Sequence, residues 1–260
     1  MKTRVLTAIA ILAFVIPALL FGGFFVVALV EFIIAGASHE LIKLEKKNWP
    51  VWIEPFIILA LMASIFVENS LLISYISILA IILLATTVFS QKFSIKDAFY
   101  CIAFSYLFAN IGNNFLVVYD VEPLFIWFII LVTYVCDTFA YLCGRAFGKH
   151  KLAPKISPNK TIEGSIGGWV FAFLISFVFA KLCVAQGYIA ADHLLALSVA
   201  SFLLPLVGQI GDLVFSAIKR FYQIKDYSNL LPGHGGVLDR VDSLLFNLVV
   251  FNFIYLMVNL

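Results

Sequence analysis

Residues 5–30 read VLTAIAILAFVIPALLFGGFFVVALV, 26 consecutive residues without a charge between Arg4 and Glu31. A second stretch, NSLLISYISILAIILLATTVFSQ over residues 69–91, adds 23 more between Glu68 and Lys92. A helix crossing the hydrocarbon core needs about 20 apolar residues, whereas a barrel strand needs about 10 that alternate. Period-two alternation is absent from both stretches, so they read as helices. The whole chain agrees: of its 260 residues 63% are apolar and 12% charged, with a mean hydropathy of +1.06. A soluble domain carries about 25% charged residues. The composition therefore excludes a soluble globular protein, a disordered chain and a small disulfide-stapled module. It predicts an all-α, polytopic integral membrane protein.

The runs place about nine spans. The break at Pro17 and Gly22-Gly23 predicts a helical hairpin with short crossings near 5–20 and 23–38. A secretory leader ending at Ala35-Gly36-Ala37 is the weaker reading, because a signal peptide's apolar core is about 7–15 residues. Further crossings are expected near 52–67, 70–90, 97–117, 123–144, 164–185, 194–218 and 240–258. Residues 1–118 form an N-terminal region of five spans, and residues 119–260 carry the chemistry. Cys101, Cys136, Cys143 and Cys183 lie inside the runs without a C-x-x-C pair and read as small buried hydrophobes.

Alternating spans assign each loop to a side, so the distribution of basic residues tests the topology. With the N-terminus inside, the inner segments hold Lys2, Arg4, Lys43, Lys46, Lys47, Lys92, Lys96, Arg145, Lys149, Lys151, Lys155, Lys160, Lys219, Arg220, Lys225 and Arg240. These are sixteen of the 17 basic residues, and only Lys181 falls near an outer end. The outer loops hold Glu68, Asp120, Glu122 and Asp192. The expected location is the inner (plasma) membrane, with the N-terminus and the site facing the cytoplasm.

Ionisable groups within membrane helices point to function by default. Asp137, Tyr141 and Arg145 recur every four residues and share one helix face; an intrahelical Asp–Arg pair is the plainer alternative. Asp212 follows Gly211 in an apolar helix, with Ser216, Lys219 and Arg220 one to two turns on. Asp239 and Asp242 are three residues apart at the start of the last crossing. Carboxylates gathered at one interface repel unless a cation neutralises them. Hard oxygen ligands without a thiolate or imidazole cluster favour Mg²⁺. A salt-bridged packing network is the alternative, but it does not call for the neighbouring glycines.

Pro232-Gly233-His234-Gly235-Gly236 forms a turn whose backbone N–H groups can approach phosphate, leading directly into a helix N-terminus. His234 reads equally as a turn residue or a phosphate contact. In the segment 156–164, Ser157, Lys160 and Thr161 are candidate phosphate donors, with Gly164 and Gly167-Gly168 permitting close approach. The alternative for that segment is a basic loop facing lipid headgroups.

These residues closely resemble the phosphatidate cytidylyltransferase (CDP-diacylglycerol synthase) family. The resemblance rests on Ser216-Ala-Ile-Lys219-Arg220, Lys225-Asp226 and the run from Leu231 through Gly233-His234-Gly235-Gly236 to Asp239-Arg240-Val241-Asp242-Ser243. Upstream it rests on Asp137-Thr-Phe-Ala-Tyr141, Gly144-Arg145, Phe147-Gly148-Lys149, Ser157–Gly164 and Gly211-Asp212-Leu213. It is sharp over about 130–245, and the first hundred residues match only as membrane helices. Phe215 stands where the family often has Glu, and Asn159 where a basic or small residue is common.

The resemblance implies transfer of CMP from CTP to phosphatidate, giving CDP-diacylglycerol and pyrophosphate with Mg²⁺. It implies that Asp212, Asp239 and Asp242 hold one or two cations. Lys160, Lys219, Arg220, Lys225 and Arg240 then bind the triphosphate and the lipid phosphate. Arg145, Ser157, Thr161, Ser216, Asp226, His234 and the 233–236 turn complete substrate binding, and Asp137 completes the metal shell or orients Arg145. The expected partners are CTP and bilayer phosphatidate, with no nucleic acid. Phe-rich faces (27 Phe in all) suit packing against lipid or a second copy of the chain. Two other readings are a CTP-dependent enzyme acting on polyprenol or an archaeol-type lipid, and a transporter with an acidic site at mid-membrane. The gathering of charge at one interface weighs against the transporter.

Overall fold

The computed structural model describes residues 2–46 and 48–259; Met1, Lys47 and Leu260, with the side chain of Lys2, lie outside the described residues. Lys47 and the Lys2 side chain were among the cations expected on the inner side. The chain divides into two compact units. The first comprises Met1–Val117 with Asp226–Arg240, and the second comprises Val118–Lys225 with Val241–Leu260.

The first unit opens with α1 (Lys2–Phe21) and α2 (Gly23–Glu45), which meet at Gly22 with φ 63°. The hairpin is therefore present, and its arms are longer than expected, at 20 and 23 residues. Pro17 sits within α1 and does not end it. Next come α3 (Ile53–Ser64), α4 (Asn69–Phe89) and α5 (Ile95–Val121). The α3 residues Ile53, Ile57 and Leu61 are fully buried at intervals of four, forming one inward stripe. The Tyr100 hydroxyl on α5 donates to the Leu41 carbonyl on α2 at 2.9 Å.

The second unit contains α6 (Pro123–Phe147), α7 (Ile162–Ala185), α8 (Leu194–Phe221) and α9 (Leu238–Val258), the last entering it from Val241. Phe125 on α6 packs on Phe251 on α9 with ring centroids 5.2 Å apart. Asn247 Nδ2 donates to Thr133 Oγ1 at 2.8 Å between the same two helices. Large apolar side chains face outward throughout, among them Leu6, Phe24, Phe66, Phe89 and Ile73. That is the pattern of helices in contact with lipid.

Among the described residues, eight helices are long and apolar enough to cross a membrane. The expected crossing at 52–67 is the exception. Its helix, α3, has 12 residues, about 18 Å at 1.5 Å per residue, against a hydrocarbon core of about 30 Å. The Pro154- and Pro158-broken segment also holds something that apolar periodicity did not reveal. It is an antiparallel hairpin of β1 (Lys151–Ala153) and β2 (Ser157–Thr161), with Lys151 opposite Thr161 and Ala153 opposite Ser157.

Candidate active site

Small residues set the position of the site in the second unit. A Cβ added at Gly168 on α7 would lie 2.7 Å from the Cys136 carbonyl oxygen and 2.8 Å from Ala140 Cβ on α6. One added at Gly164 would lie 2.6 Å from the Ala140 carbonyl oxygen. The two glycines, four apart, let α6 and α7 touch backbone to backbone, the small-xxx-small mode of membrane helices. The expectation that Gly164 and Gly167-Gly168 serve phosphate approach is corrected: these positions face α6, and Gly167 lies against Cys143. On α8, Gly211 brings its helix against the Asp242 carbonyl and Phe246 of α9, with Cβ clearances near 3.1 Å. Asp212 is thereby set beside the Asp242 segment of α9.

Where α6, α7, α8 and the β-hairpin meet, a cavity of about 500 Å³ is lined by Asp137, Tyr141, Arg145, Asn159, Lys160, Thr161, Ser165, Gln209 and Asp212 among others. Lys160 Nζ lies 2.5 Å from Asp212 Oδ2, and Ser216 Oγ donates to Asp212 Oδ1 at 3.2 Å. Asp137, Asp212 and Asp242 are close enough to feel one another's charge, with Lys160 acting on Asp137 and Lys219 on Asp242. Asp137 and Arg145 line the same cavity, and no ion pair joins them among the described residues. The intrahelical Asp–Arg alternative is therefore not what the structure contains. Gln209 orients the cavity floor: its Nε2 donates to the Ser165 carbonyl at 3.1 Å, and its Oε1 accepts from Ser165 Oγ.

Other expected residues of this unit have framework partners. Thr161 is the N-cap of α7, its Oγ1 accepting from Gly164 N–H at 3.1 Å. Arg220 donates through Nε to the Ile156 carbonyl and through Nη1 to the Ile224 carbonyl, each at 3.2 Å, which ties the end of α8 to the hairpin. Ser157 lies on β2 outside the cavity lining, and Lys225 is exposed at the end of this unit.

The glycine turn belongs to the first unit, and here the structure adds a residue that sequence reasoning missed. Glu40 on α2 is buried, 1% exposed. Its Oε1 accepts from Val237 N–H at 2.8 Å and Ser228 Oγ at 2.6 Å, and its Oε2 accepts from Leu238 N–H at 2.9 Å. A helix N-terminus attracts an anion through its free N–H groups. At α9 that anion is supplied by the protein itself. Asp239 Oδ2 accepts from Gly236 N–H and Tyr227 N–H, both at 2.9 Å. The Gly236 amide, expected to face a phosphate, is thus taken by Asp239. A Cβ there would lie 2.6 Å from the Glu40 carboxyl carbon, so glycine is required by the carboxylate beneath it. Gly233 and Gly235 hold positive φ values of 78° and 84° in the turn. Arg240 Nε donates to the His234 carbonyl at 2.7 Å, and Thr7 Oγ1 to the Pro232 carbonyl at 2.8 Å. His234 Nδ1 is buried without a hydrogen-bond partner, and Asp226 is exposed. The available signal for Glu40 was an acid directly after Ser38-His39 at the polar end of an apolar run, three residues before Lys43.

The donor chemistry in the second unit fits a hard divalent cation. Asp137, Asp212 and Asp242 offer carboxylate oxygens, and the nearby Cys136 is buried, with its thiol on the Pro205 carbonyl at 3.5 Å. Among the described residues no three of His, Cys, Asp and Glu converge closely enough to form a finished metal cage. The cavity can thus gather anions around Lys160 and Arg145 and offer carboxylates to a cation brought with them.

Comparison with known proteins bears on what this arrangement serves. A phosphatidate cytidylyltransferase of Staphylococcus saprophyticus is 36% identical over 99% of this chain and 100% of its own length. Proteins of the same name from Staphylococcus haemolyticus and Staphylococcus epidermidis are 36% and 34% identical, each over 97% of this chain and 98% of their own. The model of the cytidylyltransferase family matches residues 2–258, and the chain belongs to that family.

Proposed function

We propose that this membrane protein transfers the cytidylyl group of CTP to phosphatidate, forming CDP-diacylglycerol and releasing pyrophosphate. A phosphate oxygen of the lipid attacks the α-phosphorus of CTP, and the bond from that phosphorus to the β-phosphate bridging oxygen breaks. The observation that carries the reading is a cavity of carboxylates and cations within a lipid-facing helical unit of a cytidylyltransferase-family chain.

The phosphatidate headgroup is already an anion, so no strong base is needed. The obstacle is the approach of two anions and the charge that develops on pyrophosphate, which positioning and electrostatics address. Lys160 and Arg145, on the cavity wall, bind and orient phosphate oxygens. The Lys160 ammonium, resting on Asp212, is positioned to exchange that carboxylate for a substrate phosphate. Lys219 adds positive charge near Asp242, and Arg220 braces the hairpin that forms one wall. Asp137, Asp212 and Asp242 would lend carboxylate oxygens to Mg²⁺ arriving with the triphosphate, whose own oxygens complete its coordination. When bound, it neutralises the triphosphate and the leaving pyrophosphate. In this reading Asp239 holds the glycine turn in place, where the resemblance alone suggests a third ligand. Lys225, exposed at the end of the turn that follows α8 in the second unit, offers positive charge to incoming phosphates.

The location we propose is the inner membrane, with the site open to cytoplasmic CTP. The support is the one-sided distribution of the basic residues. The test is transfer of label from α-labelled CTP to phosphatidate by purified protein in mixed micelles, with Mg²⁺ omitted and restored. Labelled CDP-diacylglycerol and stoichiometric pyrophosphate are expected only with the cation present. Absence of transfer at saturating Mg²⁺ overturns the reading, and equal transfer of the α-label to an archaeol-type acceptor, or of a γ-label to polyprenol, overturns the lipid assignment.

A further inference from the structure

The β-hairpin carries more positive charge than the cavity uses. Residues 148–161 join α6 to α7, both of spanning length. The hairpin is fastened at its base by Glu163, which accepts from Lys149 N–H at 3.1 Å and from His150 N–H, with His150 Nδ1 at 2.6 Å from its Oε1. It is fastened at its turn by Arg220. Leu152, Asn159, Lys160 and Thr161 face the cavity.

Lys149, Lys151 and Lys155 do not line it. All three are exposed, and among the described residues no carboxylate lies within ion-pair distance of them. The nearest acid in sequence, Glu163, is occupied by His150. Three uncompensated ammonium groups on a braced hairpin are more than a solvated face requires. Their setting identifies the partner. Phe147 is 69% exposed immediately before the hairpin, and Ile162 is 42% exposed immediately after it. An outward Phe and Ile at the ends of two helices of spanning length are what the edge of the hydrocarbon calls for, and the lysines between them would then lie at headgroup level.

We propose that this lysine face collects anionic phospholipid headgroups from the membrane surface and delivers phosphatidate to the adjoining cavity. The proposal rests on the function given above. A lipid fits the face better than a nucleotide: a free nucleotide needs an enclosed site with directed donors, whereas an anionic surface needs only clustered cations beside exposed apolar side chains. The lysines raise the local concentration of the lipid substrate without touching the reacting atoms.

The test compares wild type with the triple variant Lys149→Gln/Lys151→Gln/Lys155→Gln in neutral mixed micelles of graded phosphatidate mole fraction. The triple variant is expected to raise the KM for phosphatidate about tenfold, with kcat and the KM for CTP within twofold of wild type. Added salt should raise the wild-type KM and leave the variant's nearly unchanged. The Lys→Arg triple should retain the wild-type value. An unchanged lipid KM, or a rise confined to the KM for CTP, overturns the proposal. Should the Gln triple fail to fold, Lys155→Gln alone, in the exposed turn, is expected to raise the lipid KM about twofold, and no rise overturns the proposal. Energy transfer from protein tryptophans to fluorescent phosphatidate in phosphatidylcholine nanodiscs reads lipid capture without turnover. Lysine-dependent capture by a protein that converts nothing refutes the enzymatic reading and leaves the lysine face standing. Conversion with lysine-independent capture does the reverse.

Discussion

Two carboxylates from the C-terminal signature meet different fates although they lie three residues apart. Asp239 spends its Oδ2 on two backbone N–H groups of the glycine loop, while Asp242 joins the charge field of Asp137, Asp212 and Lys219. Substitution should separate them from the acid that sits beneath the loop. Asp242→Asn is expected to lower kcat by at least about 100-fold with an unchanged melting midpoint. Glu40→Gln turns an amide N–H₂ toward existing donors and should cost about 2–3 kcal/mol of stability, read as a lower melting midpoint in detergent. Equal melting points for Glu40→Gln and wild type would show that the three hydrogen bonds to Glu40 add nothing. The contrast also marks what the sequence could express at this scale. The residue types of Asp137, Lys160 and Asp212 announced a charged site because the surrounding helices are so apolar. Glu40 did not announce itself, because its partners lie 188 to 198 residues away and no local pattern encodes that distance.

At the scale of elements, helix existence was legible wherever apolar runs were long, since length and hydropathy alone decide a crossing. The β-hairpin was not. Its strands have three and five residues, too short for a period, and the prolines around it signalled only a break in helix. The glycines of α7 were visible but misdirected the reading, because a glycine near a phosphate and a glycine under a helix backbone look the same in sequence. Their structural role gives a direct test. Gly168→Leu drives a side chain into the Cys136 carbonyl and Ala140, which should separate α7 from α6 and destabilise the protein by about 1–3 kcal/mol. Turnover should fall with it, as Lys160 and Thr161 ride at the N-terminus of α7. Ile166→Leu, on the exposed face, serves as the control. Wild-type melting and turnover for Gly168→Leu would show that the contact is dispensable.

For the whole molecule the short α3 is decisive. If it did not complete a crossing, every basic residue from Lys92 onward would change sides, and the charge asymmetry would collapse. We therefore expect residues 52–67, helix plus the turn at its end, to cross by local thinning of the bilayer. Single cysteines introduced at Glu68, Lys92 and Lys151 test this with an impermeant thiol reagent on intact cells. Glu68→Cys should label from outside, and Lys92→Cys and Lys151→Cys only after permeabilisation. External labelling of Lys92→Cys would reverse the topology of everything that follows.

The seat of Glu40 also has a consequence in time. Its backbone partners, Val237 and Leu238, are made 197 and 198 residues after it. At about 5–20 residues per second, the ribosome takes roughly 10–40 s to supply them. Throughout that interval α2 holds acceptor oxygens in an apolar setting without those donors, so the N-terminal helices reach their final packing only after residue 238 has been made. Maturation of the first unit is thereby tied to arrival of the segment that carries the signature, and a nascent chain cut short before residue 226 keeps an unfinished interior that quality control can recognise.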